Sequence, residues 1–363
     1  MKIVLWCETE LAESLCELLP DDMLVSCVID DGSNHEKMIR TIPVVTFDEF
    51  CQKYLGEVEG AFVCFGNGTI RMEAVKKLQY YGITRIGFPK LHRAFDVSHD
   101  GIVWNEGKPY LSQVEIHIMD SCNLNCSGCT HFSNLWDKNL IYDFNQYLAD
   151  LHILSRRVFF STLFLLGGEP FLNPNLADYL YAARAILPNT EIVLVTNGLL
   201  IPQQSEEVLE ALRRTEISVE VSVYPPTAKM LEKIEKTLSD HGVCMCIRAE
   251  RPAFSAILGV RGNSNPYVTQ RSCGNSFCRY VRNGKLYKCP VDALSHKYSE
   301  TFDVPLPVSE GIDLYAEHFE RMLPLLDAPV QLCRFCSEKP RIFMWSSTNH
   351  PTKRDWLADS LPE

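Results

Sequence analysis

The sequence predicts an α/β protein with two parallel sheets, the first doubly wound and the second a partial barrel, followed by a small cysteine-bearing region. Three observations predict this class. Apolar runs alternate with amphipathic stretches over residues 1–100, the alternation restarts near residue 112, and beyond residue 265 it gives way to short elements that contain cysteine. Strands that alternate with helices are typical of parallel sheets, because parallel neighbours need a crossover connection.

Residues 1–100 predict a Rossmann-like domain. The apolar runs KIVLW, LVSCVIDD, AFVCFGNG and ITRIGF predict strands, and a helical pattern occupies residues 70–81. The turn after the first run, CETELAES, has no glycine that would admit a pyrophosphate, so the dinucleotide fingerprint is absent. Asp30 and Asp31 end the second strand, where a ribose could bind. Residues 96–110 are rich in turn formers and predict a linker.

Residues 111–265 predict the partial barrel, a (β/α)6 arrangement of the TIM type. The segments QVEIHI, TLFLLGG, EIVLVTNG, ISVEVSV and VCMCIR predict strands, with helices at 174–186 and 205–214. Several of these strands alternate, although parallel strands covered on both sides are usually apolar throughout. Glu115 and His117 share one face of the first strand, and Ser218, Glu220 and Ser222 share one face of the fourth. We therefore expect a polar face toward the lumen, where a ligand binds.

The loop SCNLNCSGCTHF directly follows the first barrel strand and contains Cys122, Cys126 and Cys129. A structural zinc site needs four ligands, whereas three thiolates would leave one iron of an iron–sulfur cluster open to a small molecule. In barrels of parallel strands the chemistry lies at the carboxyl ends of the strands, where this loop is placed. Zinc binding and chance remain alternatives for this spacing.

The next strand ends in LLGGEPFLNP, which contains Gly167, Gly168 and Glu169. The two glycines let the backbone approach a ligand closely, and the Glu169 carboxylate could accept hydrogen bonds from an ammonium group. With both motifs in this order, residues 112–250 resemble the radical S-adenosylmethionine (radical SAM) superfamily. The resemblance implies a [4Fe–4S] cluster on the three cysteines and SAM bound at the Gly-Gly-Glu-Pro strand end. It also implies an electron donor of the flavodoxin or ferredoxin type.

The resemblance further implies how the cofactors act and which residues contact SAM. The reduced cluster cleaves SAM, and the resulting 5′-deoxyadenosyl radical removes a hydrogen atom from the substrate. Thr196, Asn197, Ser222 and Arg248 stand where the family places SAM contacts. The family usually has an aromatic residue before the last cysteine, to pack against adenine, but this chain has Gly128. Phe132 or His131 is expected to take that role.

A second set of cysteines lies in residues 266–345, which resemble the SPASM/twitch extension that binds an auxiliary cluster. The resemblance implies a second [4Fe–4S] cluster on Cys273, Cys289, Cys333 and Cys336, and a zinc ribbon is the alternative. A fully ligated second cluster could accept an electron from the substrate, which would make the reaction an oxidation. Epimerisation is the competing reaction, for which Cys278, Cys246 or Cys244 could return a hydrogen atom. Residues 346–363 are assigned to a C-terminal tail.

Composition excludes several kinds of partner. Lys and Arg number 35 against 46 for Asp and Glu, a net charge of −11, whereas nucleic-acid binders carry a basic face. The start lacks the features of a signal peptide, and no apolar run reaches membrane-spanning length. We therefore expect a cytoplasmic protein that does not bind membranes or nucleic acid.

The expected substrate is a sugar or nucleotide sugar. TIPVVTFDEF and FGNGTIRMEAVKKL resemble the N-terminal domains of sugar-modifying acyltransferases, and CSGCTHFS with the late FMWSS…DW resembles radical SAM proteins of polysaccharide gene clusters. The expected activity is that of a radical SAM oxidoreductase or epimerase. One alternative is a peptide-modifying radical SAM enzyme of the RiPP maturase kind. Another is a zinc-stabilised nucleotide-binding protein without radical chemistry.

Overall fold

The chain forms two compact units, described from a computed structural model that covers residues 1–32, 38–65, 67–93, 96–247, 250–276 and 278–358. The first unit comprises Met1–Ser112, Arg157–Ser161 and Asn189–Glu191, and the second comprises Gln113–Arg156, Thr162–Pro188 and Ile192–Glu363. Both are α/β and contain parallel sheets, so the predicted class is confirmed. The boundary predicted at residue 265 lies inside the second unit.

The first unit has the strand order expected of a Rossmann-like domain. Its elements are β1 (Lys2–Cys7), α1 (Thr9–Leu18), β2 (Leu24–Ile29), β3 (Met38–Ile39), β4 (Ile42–Val45), α2 (Phe47–Lys53), β5 (Gly60–Cys64), α3 (Gly68–Tyr80), β6 (Arg85–Arg93) and β7 (Asp96–Glu106). The sheet order is β3-β4-β2-β1-β5-β6-β7, and the middle five strands are parallel. Counted along the chain, those five have the order 3-2-1-4-5 typical of doubly wound sheets.

The sheet of the first unit is buried on both faces. Ile3 and Leu5 of β1 belong to one hydrophobic cluster, whereas Val4 and Trp6 belong to another. Successive side chains of a strand point to opposite faces, so each cluster covers one face of the sheet. This double burial explains why the N-terminal strands are almost continuously apolar.

The prediction of a linker over residues 96–110 is wrong, because most of this segment forms strand β7. This strand pairs antiparallel with β6, with Ile86 opposite Asn105 and Phe88 opposite Val103. Ile102 and Trp104 pack against a hydrophobic cluster of the first unit. The backbone pairing with β6 therefore outweighs the preference of these residues for turns.

The second unit contains the elements from β8 onward, wholly or mostly. These are β8 (Tyr110–Met119), α4 (Phe144–Arg157), β9 (Phe159–Gly167), α5 (Leu176–Ile186), β10 (Glu191–Thr196), α6 (Glu206–Thr215), β11 (Ser218–Val221), α7 (Pro225–Ala228), α8 (Leu231–Asp240), β12 (Met245–Ile247), β13 (Ala253–Leu258), α9 (Pro266–Ser272), β14 (Cys278–Arg282), β15 (Lys285–Tyr287), α10 (Pro290–Leu294), α11 (His296–Phe302), β16 (Ile312–Asp313), α12 (Phe319–Met322) and β17 (Cys336–Met344). None of the helices in the described part of the chain is long and apolar enough to cross a lipid bilayer.

The main sheet of the second unit follows the predicted barrel order without closing. Its order is β12-β11-β10-β9-β8-β14-β15-β16, so five strands from β8 to β12 are neighbours in chain order. The next strand, β13, pairs instead with β17 in a separate sheet, and β14 adds in parallel to the other edge at β8. Among the described strands this sheet therefore stays open. The parallel order is confirmed, and the sixth strand lies at the other edge.

The polar face predicted for the barrel strands is buried in the structure. Glu115, His117, Ser218, Glu220 and Ser222 all lie in the buried class. β12 lies at the edge of the sheet and is only partly buried. Its residue Ile247 is 48% exposed.

The predicted hairpin at Asn283-Gly284 forms between β14 and β15. Arg282 faces Lys285, and the two turn residues have φ values of 49° and 75°. A two-residue turn with both φ values positive matches the strand twist.

Candidate functional site

The three-cysteine loop begins where β8 ends and reverses direction several times. Asn125, Gly128 and Phe132 have φ values of 48°, 69° and 54°. These left-handed turns keep the chain within a short loop between the first and the last cysteine. Cys126 is buried at 8% exposure, and Cys122 and Cys129 are half-buried.

Hydrogen-bond donors point at two of the three sulfurs. The Leu124 backbone N–H lies 3.4 Å from Cys122 Sγ, and the Asn197 side-chain amide lies 3.8 Å from the same sulfur. The Trp345 indole N–H donates to Cys126 Sγ at 3.1 Å. Donors directed at sulfur are typical of cysteines that function as thiolates.

The three thiols are close enough to influence one another's ionisation. Burial raises the pKa of Cys122, and Glu169, Cys129 and Cys126 raise it further. Burial raises the pKa of Cys126 to about 12, with a smaller contribution from Cys129. Ionisation of Cys122 and Cys126 is therefore unfavourable in the empty loop, and a bound metal cation reverses this because it deprotonates its thiol ligands. The donor set therefore fits an iron–sulfur cluster.

The two glycines of LLGGEP fit against the start of the cysteine loop. A Cβ atom on Gly167 would lie 1.8 Å from the Met119 carbonyl oxygen, and one on Gly168 would lie 2.1 Å from the Ser121 carbonyl oxygen. The Gly168 N–H donates to Met119 O at 2.8 Å, and the Glu169 N–H donates to Ser121 O at 3.0 Å. The two glycines thus allow the end of β9 to pack against the backbone that precedes Cys122.

Glu169 joins the ends of β9 and β10. It is completely buried, and its Oε1 accepts hydrogen bonds from Thr196 Oγ1 at 2.7 Å and from the Phe171 N–H at 3.1 Å. Its Oε2 accepts from the Asn197 N–H at 2.9 Å. Burial raises the pKa of Glu169 to about 7, although these three donors favour the charged form. The carboxylate therefore positions Asn197, whose side chain reaches Cys122.

We expect Glu169→Gln to destabilise the second unit by about 1–3 kcal/mol, because glutamine has one acceptor oxygen and cannot accept from the Asn197 N–H and from the donors to Oε1 together. Between about pH 4.3, the usual value for Glu, and about pH 7 the folded chain keeps a proton that the unfolded chain has released. The free energy of unfolding of the wild type therefore contains a contribution that falls as the pH rises through this window, and the variant lacks it. Urea unfolding at several pH values measures both effects, with the exposed Glu232→Gln as control; equal pH profiles for Glu169→Gln and wild type would contradict the assignment.

Other predicted SAM contacts have mixed placements. Asn197 lies beside the loop, where its amide also donates to Asn123 Oδ1 at 2.7 Å. Ser222 is buried at the end of β11, and its backbone N–H donates to Thr196 O at 2.9 Å. Arg248 lies outside the described residues.

Phe132 packs in the hydrophobic core. It is 1% exposed, and its ring stacks on Trp356 at 5.9 Å between centroids. This placement gives no support to an adenine contact. The structure also explains why Gly128 departs from the family pattern, since a Cβ there would lie 2.8 Å from the Asp355 carbonyl oxygen. An aromatic side chain at position 128 has no room.

Residues 345–356, which the sequence assigns almost entirely to a tail, pack along the cysteine loop, and we call them the C-terminal strap. The Ser127 N–H donates to Ser346 O at 2.9 Å, and Cys126 and Ser347 form an antiparallel bridge. The Trp356 indole donates to the Cys129 carbonyl oxygen at 2.7 Å. The FMWSS…DW motif was the only sequence signal for this contact, and it does not say which residues the strap meets.

A buried ion-pair network anchors the start of the loop to β14. Arg282 donates two hydrogen bonds of 2.8 Å to Asp120, and His117 Nδ1 lies 3.0 Å from the same carboxylate. Burial opposes ionisation, but the hydrogen bonds from His117 and Arg282 lower the pKa of Asp120 to about 2. His117 Nε2 lies 2.6 Å from His131 Nδ1, so the network reaches both ends of the loop. Sequence reasoning missed this network, because only the fold brings Arg282 to Asp120.

The thiols of the second cysteine set influence one another electrostatically. Burial raises the pKa of Cys336, and the thiols of Cys333 and Cys273 raise it further. Burial likewise raises the pKa of Cys289, with contributions from Cys336 and Cys273. Backbone N–H groups donate to Cys273 Sγ and to Cys289 Sγ, each at 3.4 Å. The four thiols thus affect one another's ionisation, and a second cluster on them stays a prediction.

Two buried cations accompany the second group. Arg279 is 2% exposed and donates to Asp327 Oδ1 at 3.1 Å. Lys288 donates to the Leu326 carbonyl oxygen at 2.6 Å and is buried near Cys333 and Cys289. Buried cations next to thiols are expected where the thiols carry negative charge.

The remaining predicted cysteines occupy separate strands. Cys278 begins β14, where the Gln113 amide donates to its sulfur at 3.0 Å. Cys246 lies half-buried on β12, opposite Glu220 of β11. In the first unit, Asp30 and Asp31 serve the fold itself, since Asp30 accepts from the Gly32 N–H at 2.8 Å and Asp31 from the Phe47 N–H at 2.9 Å. That use gives no support to a ribose site.

The region that contains the cysteine loop is similar to known proteins. Residues 116–253 match the model of the radical SAM superfamily. The GTP 3′,8-cyclase of Clostridium acetobutylicum is 26% identical over 212 residues, which cover 56% of this chain and 59% of that protein. The GTP 3′,8-cyclase of Nostoc punctiforme is 34% identical over 116 residues, 30% of this chain and 34% of that protein. The chain spans between about a third and three-fifths of the length of the curated relatives it matches.

A solved structure is also similar, with lower sequence identity than these relatives. The crystal structure of BtrN in complex with AdoMet and 2-DOIA matches with a TM-score of 0.41 and 16% identity, over 66% of this chain and 98% of that chain. A TM-score of this size has no bearing on the substrate. The family match covers the strand, the cysteine loop and the Gly-Gly-Glu-Pro segment together. Residues 116–253 are thus a radical SAM domain.

Proposed function

We propose that this chain oxidises or epimerises a sugar or nucleotide sugar, with a [4Fe–4S] cluster bound by Cys122, Cys126 and Cys129. The observation that carries the proposal is a loop of three thiols with N–H donors directed at two of the sulfurs. When bound, the cluster and SAM supply the one-electron chemistry that removes a hydrogen atom from a substrate carbon. A flavodoxin or ferredoxin is the expected electron donor.

The chain's own residues orient the cofactors and exclude water. Gly167 and Gly168 allow the end of β9 to pack on the loop, and Glu169 positions Asn197 next to Cys122. Ser222 ends the neighbouring strand and is proposed to contact SAM, as is Arg248. We therefore expect a substitution at Gly167, Gly168 or Glu169 to shift the cysteine ligands.

The second cluster is proposed on Cys273, Cys289, Cys333 and Cys336. The mutual effects of these thiols on their pKa values support Cys273 as the ligand from its segment. The buried Arg279 and Lys288 would offset the negative charge of four thiolates. Such a centre would accept an electron during oxidation, whereas Cys278 or Cys246 would return a hydrogen atom during epimerisation.

A polar pocket of the second unit supports a small polar substrate. Its volume is about 280 Å³, and its walls include Trp136, Arg282, Asp292 and His296. The Trp136 ring lies 4.8 Å from the Arg282 guanidinium, and its buried indole N–H has no hydrogen-bond partner among the described residues. Aromatic, charged and amide-like groups in one pocket suit a ligand with many hydroxyl groups. None of the cysteines in the described part of the chain forms a disulfide, and we propose a reducing, cytoplasmic location.

Anaerobic reconstitution with iron and sulfide, followed by dithionite and SAM, tests the proposal. We expect 5′-deoxyadenosine, and we expect deuterium in it when the substrate is a deuterated sugar or nucleotide sugar. Label from a deuterated peptide alone would favour a peptide-modifying enzyme. A fully loaded protein that forms no 5′-deoxyadenosine would overturn the proposal.

A further inference from the structure

We propose that the C-terminal strap positions the cysteine loop and that Trp345 raises the reduction potential of the cluster by donating a hydrogen bond to Cys126. The inference rests on the proposed function, because it requires a cluster on the three cysteines. It concerns Trp345 as a positioning residue that acts through a ligand of the cluster. The family match does not include this residue, since it ends at residue 253.

The Trp345 indole is held in place on several sides. Its N–H lies 3.1 Å from Cys126 Sγ, within the range for a donor to sulfur. The ring stacks on Tyr224 at 6.3 Å between centroids and 24° between planes, and Tyr224 in turn contacts Phe254. The Trp345 backbone N–H donates to Pro252 O at 2.8 Å. The donor is therefore oriented before a cluster binds.

The strap also holds the backbone on both sides of Cys126. The Ser127 N–H donates to the strap at Ser346 O, and the Thr348 N–H donates back to Asn125 O, each at 2.9 Å. The Asn125 side-chain amide adds a hydrogen bond of 3.0 Å to Asn349. Contacts that run in both directions restrict the loop at the residue before and the residue after the ligand.

The direction of the effect follows from charge. A cluster gains one negative charge on reduction, and a donor to a ligand sulfur stabilises the more negative state. Cys126 is buried, so little water can replace the indole when it is removed. Loss of the N–H should therefore make the cluster harder to reduce.

Trp345→Phe tests the donor because it removes the indole N–H and keeps an aromatic ring against Tyr224. We expect the equilibrium for reduction to become about three- to tenfold less favourable, which is a potential about 30–60 mV lower at 59 mV per tenfold change. The measurement is a redox titration followed by electron paramagnetic resonance, with iron content determined in parallel. Trp104→Phe is the matched control, because it removes an indole N–H from β7 of the first unit. Equal potentials in Trp345→Phe, Trp104→Phe and wild type would overturn the donor role.

The positioning role is tested without a cluster. In the full-length chain without iron, Thr348→Pro removes the N–H that donates to Asn125, whereas Thr348→Ala keeps it. We expect hydrogen exchange in residues 122–132 to become about fivefold faster in Thr348→Pro only. Unchanged exchange in that variant would overturn the positioning role. A wild type that binds its cluster but forms no 5′-deoxyadenosine would instead contradict the proposed function, and the two failures are therefore distinguishable.

Discussion

Cys126→Ala is expected to abolish the formation of 5′-deoxyadenosine from SAM and to leave the second cluster in place. The variant removes the sulfur of the one loop cysteine in the buried class, which is also the acceptor of the Trp345 hydrogen bond. Loss of an outer-shell partner already costs about 10- to 100-fold in metal affinity or activity, so loss of a ligand should cost more. Iron content should fall by about half, because each [4Fe–4S] cluster holds about the same amount of iron.

The control for this experiment is Cys16→Ala, which removes a half-buried thiol from the first unit. It should retain full iron content and full SAM cleavage. Residual cleavage in Cys126→Ala at the wild-type rate would mean that the cluster is held elsewhere. Loss of all iron would mean that the two cysteine groups do not bind independently.

Gly168→Ala is expected to destabilise the second unit by about 3 kcal/mol and to prevent cluster binding. The added Cβ would lie 2.1 Å from the Ser121 carbonyl oxygen and 2.3 Å from its carbonyl carbon. Because both atoms belong to the backbone directly before Cys122, relief of the clash must displace the cysteine loop. Thermal or urea unfolding measures the first effect, and iron content after reconstitution measures the second.

Gly56→Ala is the matched control, because no atom lies within 4 Å of the added Cβ. That change should alter the free energy of unfolding by less than about 0.5 kcal/mol. A Gly168→Ala protein with normal stability and a normal cluster would show that the backbone contact between the strand end and the loop is unimportant.

The strands of both sheets were predictable because burial leaves a direct trace in the sequence. GAFVC at β5 is entirely apolar and entirely buried, as expected of a central parallel strand. The strand Asp96–Glu106 was missed because its pairing with β6, rather than its own composition, stabilises it. The neighbours of β13 and β14 were not predictable for a similar reason, since alternation shows that a segment is a strand but does not show its neighbours.

The candidate site was predictable where its residues are close in sequence. Cys122, Cys126 and Cys129 lie within one loop, and Glu169 follows at the end of the next strand. Asn197 was found from its place at a strand end, although its contact with Cys122 required the structure. Trp345 and Arg282 were missed because no local pattern connects them to residues 219 and 162 positions away.

Because Cys126 and Trp345 lie far apart in the sequence, the cysteine loop is synthesised well before the strap that covers it. A ribosome that adds about 5–20 residues per second needs about 11–44 s to make the 219 residues between them. During that interval a nascent chain exposes the thiols without their indole cover, so oxygen and solvent could reach any iron already delivered. Insertion of iron and sulfide is therefore expected to succeed only after translation has passed the strap, and the assembly machinery must recognise a nearly finished polypeptide.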